Sequence, residues 1–325
     1  MKFLILSRQA VLLVSHCPYT FFEVINKMET FNPLYSYLPT EVVKILKEKD
    51  YSDMSELRFA LDKPILVNNG NTTRFFTDLS EQKLIAGNDM FAYILHKLTG
   101  GSMYSVENNL TEGFVTLKGG HRVGICGTAV VENGKLSHIK NISAMCFRVS
   151  REIKGSAFFL ADEIENKYGV NNILIASPPG CGKTTVLRDL CRILANGQLG
   201  GGIRKVGIAD ERSEIAALAV GKSSFDIGVG SFVCDGYPKA VAMTLMLRSM
   251  SPDVIATDEI GSKEDFIAVR NAQKCGVSVI ATAHAGDLDD LRRRFGGDIA
   301  IFDKIIFLRA RGRVKRIYRR SNDDY

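Results

Sequence analysis

The sequence lacks three features that would have placed it in a class at once. Its seven cysteines include no C-x-x-C pair, which argues against a disulfide framework or a zinc site and favours a reducing cytosol. Nowhere does an uninterrupted apolar run reach the about 20 residues that a membrane-spanning helix needs. Internal repeats and low-complexity stretches are missing too, and 46% of the residues are apolar, so a disordered chain is not expected.

The length and the net charge of the chain limit the number of domains and the kinds of partner that are expected. The 325 residues suffice for two domains with buried cores. The net charge of the chain is +6, and residues 309–320 contain seven Lys or Arg and no acid. The rest of the chain therefore carries a net charge of −1. The body is thus close to neutral, which argues against nucleic acid as the main partner. Residues 304–320 are predicted to form two strands around Arg311-Gly312. A solvated hairpin is the favoured interpretation, with anionic lipid, an acidic partner or nucleic acid as alternatives.

Residues 1–29 are predicted to be a loose extension or the product of a mis-assigned start, with Met28 as the natural first residue. Arg8 and His16 break the apolar pattern of this segment. A signal peptide is poorly supported, because the apolar region is interrupted and no A-x-A cleavage site follows it. An anchor lying in the membrane interface is the alternative interpretation.

Residues 30–154 are predicted to form an α+β domain. A helix begins near Leu38-Pro39, and short strands flank the turn at 68–71. A second helix is predicted from Ser80, because the apolar residues that follow have helical spacing, and Gly100-Gly101 ends it. Further strands are predicted within 113–131 and 142–149.

Residues 155–169 are predicted to be a linker with some helical character, and 170–325 to be a second domain of α/β class. Apolar runs without polar alternation occur there between helical segments, at 173–176, 206–209, 254–257 and 277–282. Such runs are typical of a parallel sheet that is covered on both faces. Ligands of these sheets bind at the carboxyl ends of the strands, so the residues that follow the runs are the candidate site residues.

The segment 177–185 carries the most specific motif. Strand, glycine-rich turn and helix are the context of a phosphate-binding loop, in which backbone N–H groups and a helix N-terminus surround a phosphate. Gly180 and Gly182 permit the positive φ angles of such a turn. Lys183 can reach the β- and γ-phosphates, and the Thr184 hydroxyl is placed for Mg²⁺. The predicted phosphate-binding residues are Ser177, Pro178, Pro179, Gly180, Cys181, Gly182, Lys183, Thr184 and Thr185.

This loop departs from the usual pattern at one position. G-x-x-x-x-G-K-[ST] asks for glycine where this chain has Ser177. The weaker interpretation of the segment is a glycine-rich turn that binds nothing. For Cys181, a redox-sensing thiol at a helix N-terminus is weaker than a small residue that the loop tolerates.

Polar residues end the other apolar runs. Asp258 and Glu259 follow the run at 254–257, where Asp258 can hold Mg²⁺ through water and Glu259 can orient or deprotonate an attacking water. Surface acids or a helix cap are the alternative. Glu211 lies in the acidic segment after 206–209, and His284 follows the last run. Both are predicted to shape the surroundings of a γ-phosphate, which an imidazole could stabilise. A purely structural hydrogen bond is the alternative role for His284.

In this order, the phosphate loop, the pair Asp210-Glu211, the run 251–260 and the run 281–284 resemble the secretion and pilus-motor ATPases. Within that superfamily the chain resembles the stage III sporulation protein AA type, which shares its Ser-Pro-Pro-Gly-Cys-Gly-Lys-Thr-Thr loop and its Asp-Glu-Arg-Ser-Glu box. The resemblance covers roughly residues 30–310. Pilus motors usually have glycine where this chain has Asp258.

The resemblance implies a RecA-like ATPase domain behind a smaller N-terminal domain, and a hexamer in the mother-cell cytosol at the membrane base of a sporulation channel. Its partners would be copies of itself and membrane proteins of that channel. It also implies that N-terminal arginines act on the bound nucleotide, which carries over to Arg122 and Arg148. Ion pairs with acids of the same domain, for instance Glu56 or Glu112, are the alternative for these arginines. We therefore predict Mg²⁺-dependent ATP hydrolysis that powers or gates a secretion or channel complex. A nucleic-acid-stimulated motor and a nucleotide-gated assembly protein with little turnover are the alternatives.

Overall fold

A computed structural model of the chain describes residues 33–51, 53–70, 72–100, 113–132, 134–219, 221–309 and 312–320. The predictions for residues 1–29 and for Arg311 lie outside these residues. Helices combine with two main sheets, one antiparallel and one largely parallel. In the described ranges, no helix is both long enough and apolar enough to cross a membrane.

The first sheet is antiparallel and packs with two helices. Its strands are β1 (Glu56–Ala60), β2 (Leu66–Asn68), β3 (Thr73–Phe75), β4 (Phe114–Thr116), β5 (Arg122–Glu132) and β6 (Lys135–Arg148), and the helices are α1 (Thr40–Glu48) and α2 (Asn88–Thr99). The strand order is β3-β2-β1-β6-β5-β4. The core contains Phe59 and Phe147, whose rings meet edge to face, and the buried faces of the two helices pack in the same cluster.

The second helix, α2, begins at Asn88 and not near Ser80, so the prediction of its start was wrong. The Asp78 carboxylate accepts hydrogen bonds from the backbone N–H groups of Ser80 and Gln82, at 2.8 and 2.9 Å. These bonds form a turn that competes with helix formation. The apolar spacing before residue 88 therefore belongs to an extended segment, and the predicted end at Gly100, in the left-handed conformation, is confirmed.

The second sheet has seven strands and is largely parallel. They are β9 (Ile173–Ser177), β10 (Val206–Asp210), β13 (Ser231–Asp235), β14 (Val254–Thr257), β15 (Ser278–His284), β16 (Lys304–Arg309) and β17 (Arg313–Arg319). Their order is β13-β10-β14-β15-β9-β16-β17, and every pair is parallel except β16 with β17. The four apolar runs of the sequence form buried strands in this sheet, as predicted.

Helices cover both faces of the second sheet, and apolar clusters lie on each side of it. Residues 157–164 belong to one of these clusters, through the buried side chains of Ala157, Leu160 and Ile164. The helices are α3 (Ala161–Ile164), α4 (Lys183–Ala195), α5 (Lys239–Ser249), α6 (Lys263–Lys274) and α7 (Leu288–Phe295), and the small strands are β7 (Glu165–Asn166), β8 (Gly169–Val170), β11 (Leu218–Ala219) and β12 (Lys222–Ser223).

The turn before β5 joins the two sheets. The Gly119 N–H donates to Ser224 Oγ at 3.1 Å. Gly120 has a φ of +72°, and a Cβ atom there would lie 2.5 Å from the Phe225 ring. Only glycine fits this close approach. The first sheet is thereby seated on the segment that follows β10, beside the carboxyl edge of the second sheet.

Candidate nucleotide site

The carboxyl ends of β9, β14 and β15 meet at one edge of the second sheet. Because these strands are parallel and adjacent, His284 pairs with Ser177 and Thr257 pairs with Ala281 in the strand register. The residues at the ends of these strands are therefore neighbours, although more than 70 residues of chain separate the loop at 177–185 from the ends of β14 and β15. This edge is where ligands of open α/β sheets bind.

The glycine-rich loop has the backbone conformation that its sequence predicts. Gly180 and Gly182 take φ angles of +72° and +92°. Helix α4 begins directly afterwards, and its first helical hydrogen bond runs from the Val186 N–H to the Gly182 carbonyl at 3.0 Å. The N–H groups of the first helical residues precede that bond and point out of the helix end, where an anion is favoured.

Ser177 explains the departure from the usual loop pattern. It is fully buried and lies in β9, so its backbone is extended and does not need glycine. Its hydroxyl donates to the Pro178 carbonyl at 2.9 Å. The chain turns only after this residue, at the two glycines, and the missing first glycine therefore leaves the loop geometry intact.

A chain of contacts runs from the loop lysine to a carboxylate. Lys183 Nζ lies 3.0 Å from His284 Nδ1 and 3.2 Å from the Ser177 carbonyl. His284 Nε2 lies 2.8 Å from Glu259 Oε1. A neutral imidazole with its proton on Nε2 satisfies both contacts, because it accepts from the ammonium and donates to the carboxylate. The other Glu259 oxygen forms an ion pair with Arg212.

The environment keeps Glu259 ionised. Burial raises the pKa of this carboxyl, but the hydrogen bond from His284 and the charges of Arg212 and Lys183 outweigh it, and the net pKa lies below the usual value. Burial lowers the pKa of Lys183, against the opposing charges of Asp258 and Glu259. Glu259 has a φ of +49°, a conformation that is uncommon for a residue with a side chain and is often found at functional sites.

Asp258 is tied to the loop helix through a threonine. The Thr184 hydroxyl donates to Asp258 Oδ2 at 2.7 Å, and Thr282 Oγ1 bonds to the other oxygen of that carboxylate. The Glu259 N–H donates to Thr282 Oγ1 at 2.9 Å, which fixes the acid pair relative to β15. A hydroxyl and a carboxylate side by side are the hard oxygen donors that Mg²⁺ prefers, with the remaining ligands left to phosphate and water.

The last residue of β10, Asp210, holds the acidic segment that follows the strand. Asp210 is buried, and its carboxylate accepts hydrogen bonds from three successive backbone N–H groups, those of residues 214–216, at 2.8 to 3.1 Å. Glu211 forms an ion pair with Lys239 on α5 and lines the same open cleft as Glu259. Sequence reasoning assigned no role to Arg212 or Lys239, and no local pattern could have, because their partners lie far along the chain.

The two candidate arginines of the first sheet lie in different surroundings. Arg122 Nη1 lies 2.5 Å from Glu214 Oε1, and its other terminal nitrogen donates to the Arg212 carbonyl. Arg122 therefore meets the rim of the cleft. Arg148 is its neighbour in the β5–β6 register, but its side chain is 66% exposed and its Nε lies 3.9 Å from Glu56 Oε1. Within the part of the chain that the structure describes, no salt bridge joins Arg148 to the second sheet.

Solved structures share this architecture. The Legionella pneumophila ATPase DotB superposes with a TM-score of 0.56 and 16% identity, over 85% of this chain and 76% of that one. The pilus retraction motor PilT with bound ADP gives a TM-score of 0.55 and 17% identity, over 83% of this chain and 78% of that one. At such identities the likeness shows the fold alone. It confirms the predicted α/β class, a RecA-like domain with a parallel sheet.

Sequence comparison gives nearer relatives. Protein SEEDLING PLASTID DEVELOPMENT 1 of Arabidopsis thaliana is 29% identical over 173 residues, which are 48% of this chain and 23% of that protein. Stage III sporulation protein AA of Bacillus subtilis strain 168 is 36% identical over 268 residues, which are 81% of this chain and 84% of that protein. The family described as sporulation stage III, protein AA matches residues 28–323. The resemblance drawn from the motifs is confirmed, and the chain belongs to the sporulation stage III protein AA family.

Proposed function

We propose that this chain is a Mg²⁺-dependent ATPase that powers or gates the assembly of a membrane channel or secretion complex in sporulation. The observation that carries the proposal is the convergence of Lys183, His284 and Glu259 beside the Thr184–Asp258 pair at the end of a glycine-rich loop. The family supports the link to sporulation, and the secretion-ATPase fold supports the link to a membrane complex.

The loop and its lysine would bind the phosphates. The N–H groups at the start of α4 donate to phosphate oxygens, and the Lys183 ammonium exchanges its contacts with the Ser177 and Pro178 carbonyls for the β- and γ-phosphates. Thr184 and Asp258 would hold the metal, which neutralises charge on the phosphate oxygens. The buried position of Lys183 strengthens its attraction to phosphate, because little water competes.

Glu259 would hold the attacking water in line with the γ-phosphate. Its lowered pKa keeps it a carboxylate, so it can accept a hydrogen bond from water and take up the proton. Both of its oxygens are engaged, by His284 and by Arg212. Arg212 is 58% exposed and is the contact that can yield to water, whereas the His284 contact keeps the carboxylate oriented.

The contact between the two sheets would couple hydrolysis to movement. Arg122 reaches Glu214 at the rim of the cleft, and a guanidinium that moves from Glu214 to a phosphate would change how the sheets sit together. Self-association, with a hexamer as the expected form, and membrane proteins of a sporulation channel as partners belong to the same proposal. So does a cytosolic location at the inner face of the mother-cell membrane.

Phosphate release by the purified full chain tests this function. Turnover should require Mg²⁺ and ATP, stop in Lys183→Ala, and persist in Lys63→Ala, which removes an exposed lysine in the turn after β1. The rate should not depend on added DNA. No turnover with intact ATP binding would favour a nucleotide-gated assembly protein, and strong stimulation by DNA would favour a nucleic-acid motor.

A further inference from the structure

The basic C-terminal hairpin, β16–β17, touches the phosphate loop. The Gly312 N–H donates to the Cys181 carbonyl at 2.7 Å. Gly312 has a φ of +70°, and a Cβ atom there would lie 3.1 Å from Val186 Cγ2, in the first turn of α4. The start of β17 is therefore packed against both the loop and the helix that follows it. A solvated hairpin alone does not explain this contact.

The hairpin lies on the side of the phosphate loop opposite to Asp258 and Glu259. In the sheet order, β15 and β14 stand on one side of β9, and β16 and β17 stand on the other. Because β16 runs parallel to β9, Arg309 at its end and Arg313 at the start of β17 lie at the same carboxyl edge as the loop. For a nucleotide whose γ-phosphate faces Glu259, the hairpin is therefore on the far side of the loop from that phosphate.

Charge is distributed unevenly along the hairpin. At the end far from the loop, Lys304 and Arg319 both pair with Glu163. At the loop end, Arg309 and Arg313 are exposed and directly opposite each other in the strand register. Neither forms a salt bridge with any residue in the described ranges. Two like charges in this arrangement repel each other, so an anionic ligand between them would be stabilising.

We propose that Arg309, Gly312 and Arg313 form the nucleoside-side wall of the nucleotide site. The two guanidiniums contact the α-phosphate and the base, because a planar guanidinium donates to phosphate oxygens and stacks on aromatic faces. The Gly312 N–H holds the loop carbonyl and fixes the distance between wall and loop. Lys315, whose Nζ donates to the Gly286 carbonyl at 3.1 Å, anchors the strand beyond the wall. This inference rests on the proposed nucleotide function.

Two ligands of different length distinguish binding at the wall from binding at the phosphate loop. ADP extends from the loop to the hairpin, whereas inorganic pyrophosphate fills the loop without reaching beyond it. Dissociation constants for both are measured by calorimetry with Mg²⁺ on the full chain. The test variant is the double substitution Arg309→Gln with Arg313→Gln. The matched control is Arg316→Gln, which removes an exposed arginine of the same strand whose guanidinium lies 4.7 Å from the Tyr318 ring centre.

In the double variant, the dissociation constant for ADP is expected to rise about tenfold or more, the loss of at least one charge-assisted contact. Pyrophosphate should bind within about twofold of the wild type, and Arg316→Gln should leave both ligands unchanged. The melting temperature should not fall, because both arginines are exposed and unpaired in the described structure. Unchanged ADP affinity, or an equal loss of affinity for both ligands, would refute the proposal that Arg309 and Arg313 contact the nucleoside side of the ligand.

The wild type and Lys183→Ala keep the two proposals apart. One outcome is that the wild type binds ADP, that Lys183→Ala abolishes this binding, and that the double hairpin variant does not weaken it. In that case the proposed nucleotide function is supported, and the proposed role of Arg309 and Arg313 is refuted. If the wild type binds neither ADP nor pyrophosphate, the nucleotide function itself fails, and the wall fails with it.

Discussion

Arg122→Gln is expected to destabilise the chain at neutral pH and to do so less in acid. The side chains of Arg122 and its partner Glu214 are 13% and 31% exposed, so the pair is neither a surface ion pair nor fully buried. Exposed pairs contribute under about 1 kcal/mol, and breaking a buried one costs about 3–5 kcal/mol. We expect a loss of about 2 kcal/mol, which is about 3 °C in melting temperature for a chain of this size.

The pH dependence follows from Glu214. Burial already raises the pKa of this carboxyl against the charge of Arg122, and the nearby Asp258 and Glu259 raise it further. Without Arg122 the pKa climbs again. A carboxyl whose folded pKa is raised favours the folded state below its unfolded pKa and loses that contribution as the pH rises toward the folded value. The loss should therefore be larger at about pH 7.5 than at about pH 5.

Thermal melting of four proteins measures this coupling: the wild type, Arg122→Gln, Glu214→Gln and the double variant. The double variant should be more stable than Arg122→Gln, because no unpaired carboxylate remains. Arg58→Gln is the matched control, since it breaks an ion pair with Glu56 on the same sheet in which the arginine is 54% exposed. Additive effects, or a loss that is the same at both pH values, would refute the ion pair between the sheets.

Two further substitutions test the surroundings of the loop. Arg188→Met should cost about 3 kcal/mol or more in urea unfolding, because this buried guanidinium donates to three backbone carbonyls that would lose their partners; little change would show that water replaces it. Arg212→Gln removes one of the charges that lower the pKa of Glu259, so the acid limb of the pH–rate profile for hydrolysis should move to higher pH. An unmoved limb would show that Arg212 does not contact the carboxylate in solution.

Much of the second sheet follows from local sequence. Apolar runs without alternation, at 173–176 and 254–257, are predicted as buried parallel strands, and parallel strands bring their carboxyl ends together whatever their separation in the chain. The proximity of Lys183, Asp258 and His284 was therefore predictable. The positive φ angles of the loop glycines also follow from the motif.

Other features depend on packing that no window of sequence contains. The start of α2 was misplaced because Asp78 forms a turn where the apolar spacing indicates a helix. Arg212 contacts Glu259, and the Gly312 N–H contacts Cys181, across long stretches of chain. These contacts arise only once the strand order is fixed, and alternation within single strands carries no information about that order.

Hydrolysis by Glu259→Gln tests the central claim most directly. Phosphate release and ATP affinity are measured together in the wild type, in this variant and in Glu264→Gln, an exposed acid on α6 that serves as the control. With Glu259 holding the attacking water, the variant should bind ATP within about threefold of the wild type and hydrolyse it about 10² times more slowly or worse, with the control unchanged. Hydrolysis by Glu259→Gln at the wild-type rate would contradict the account.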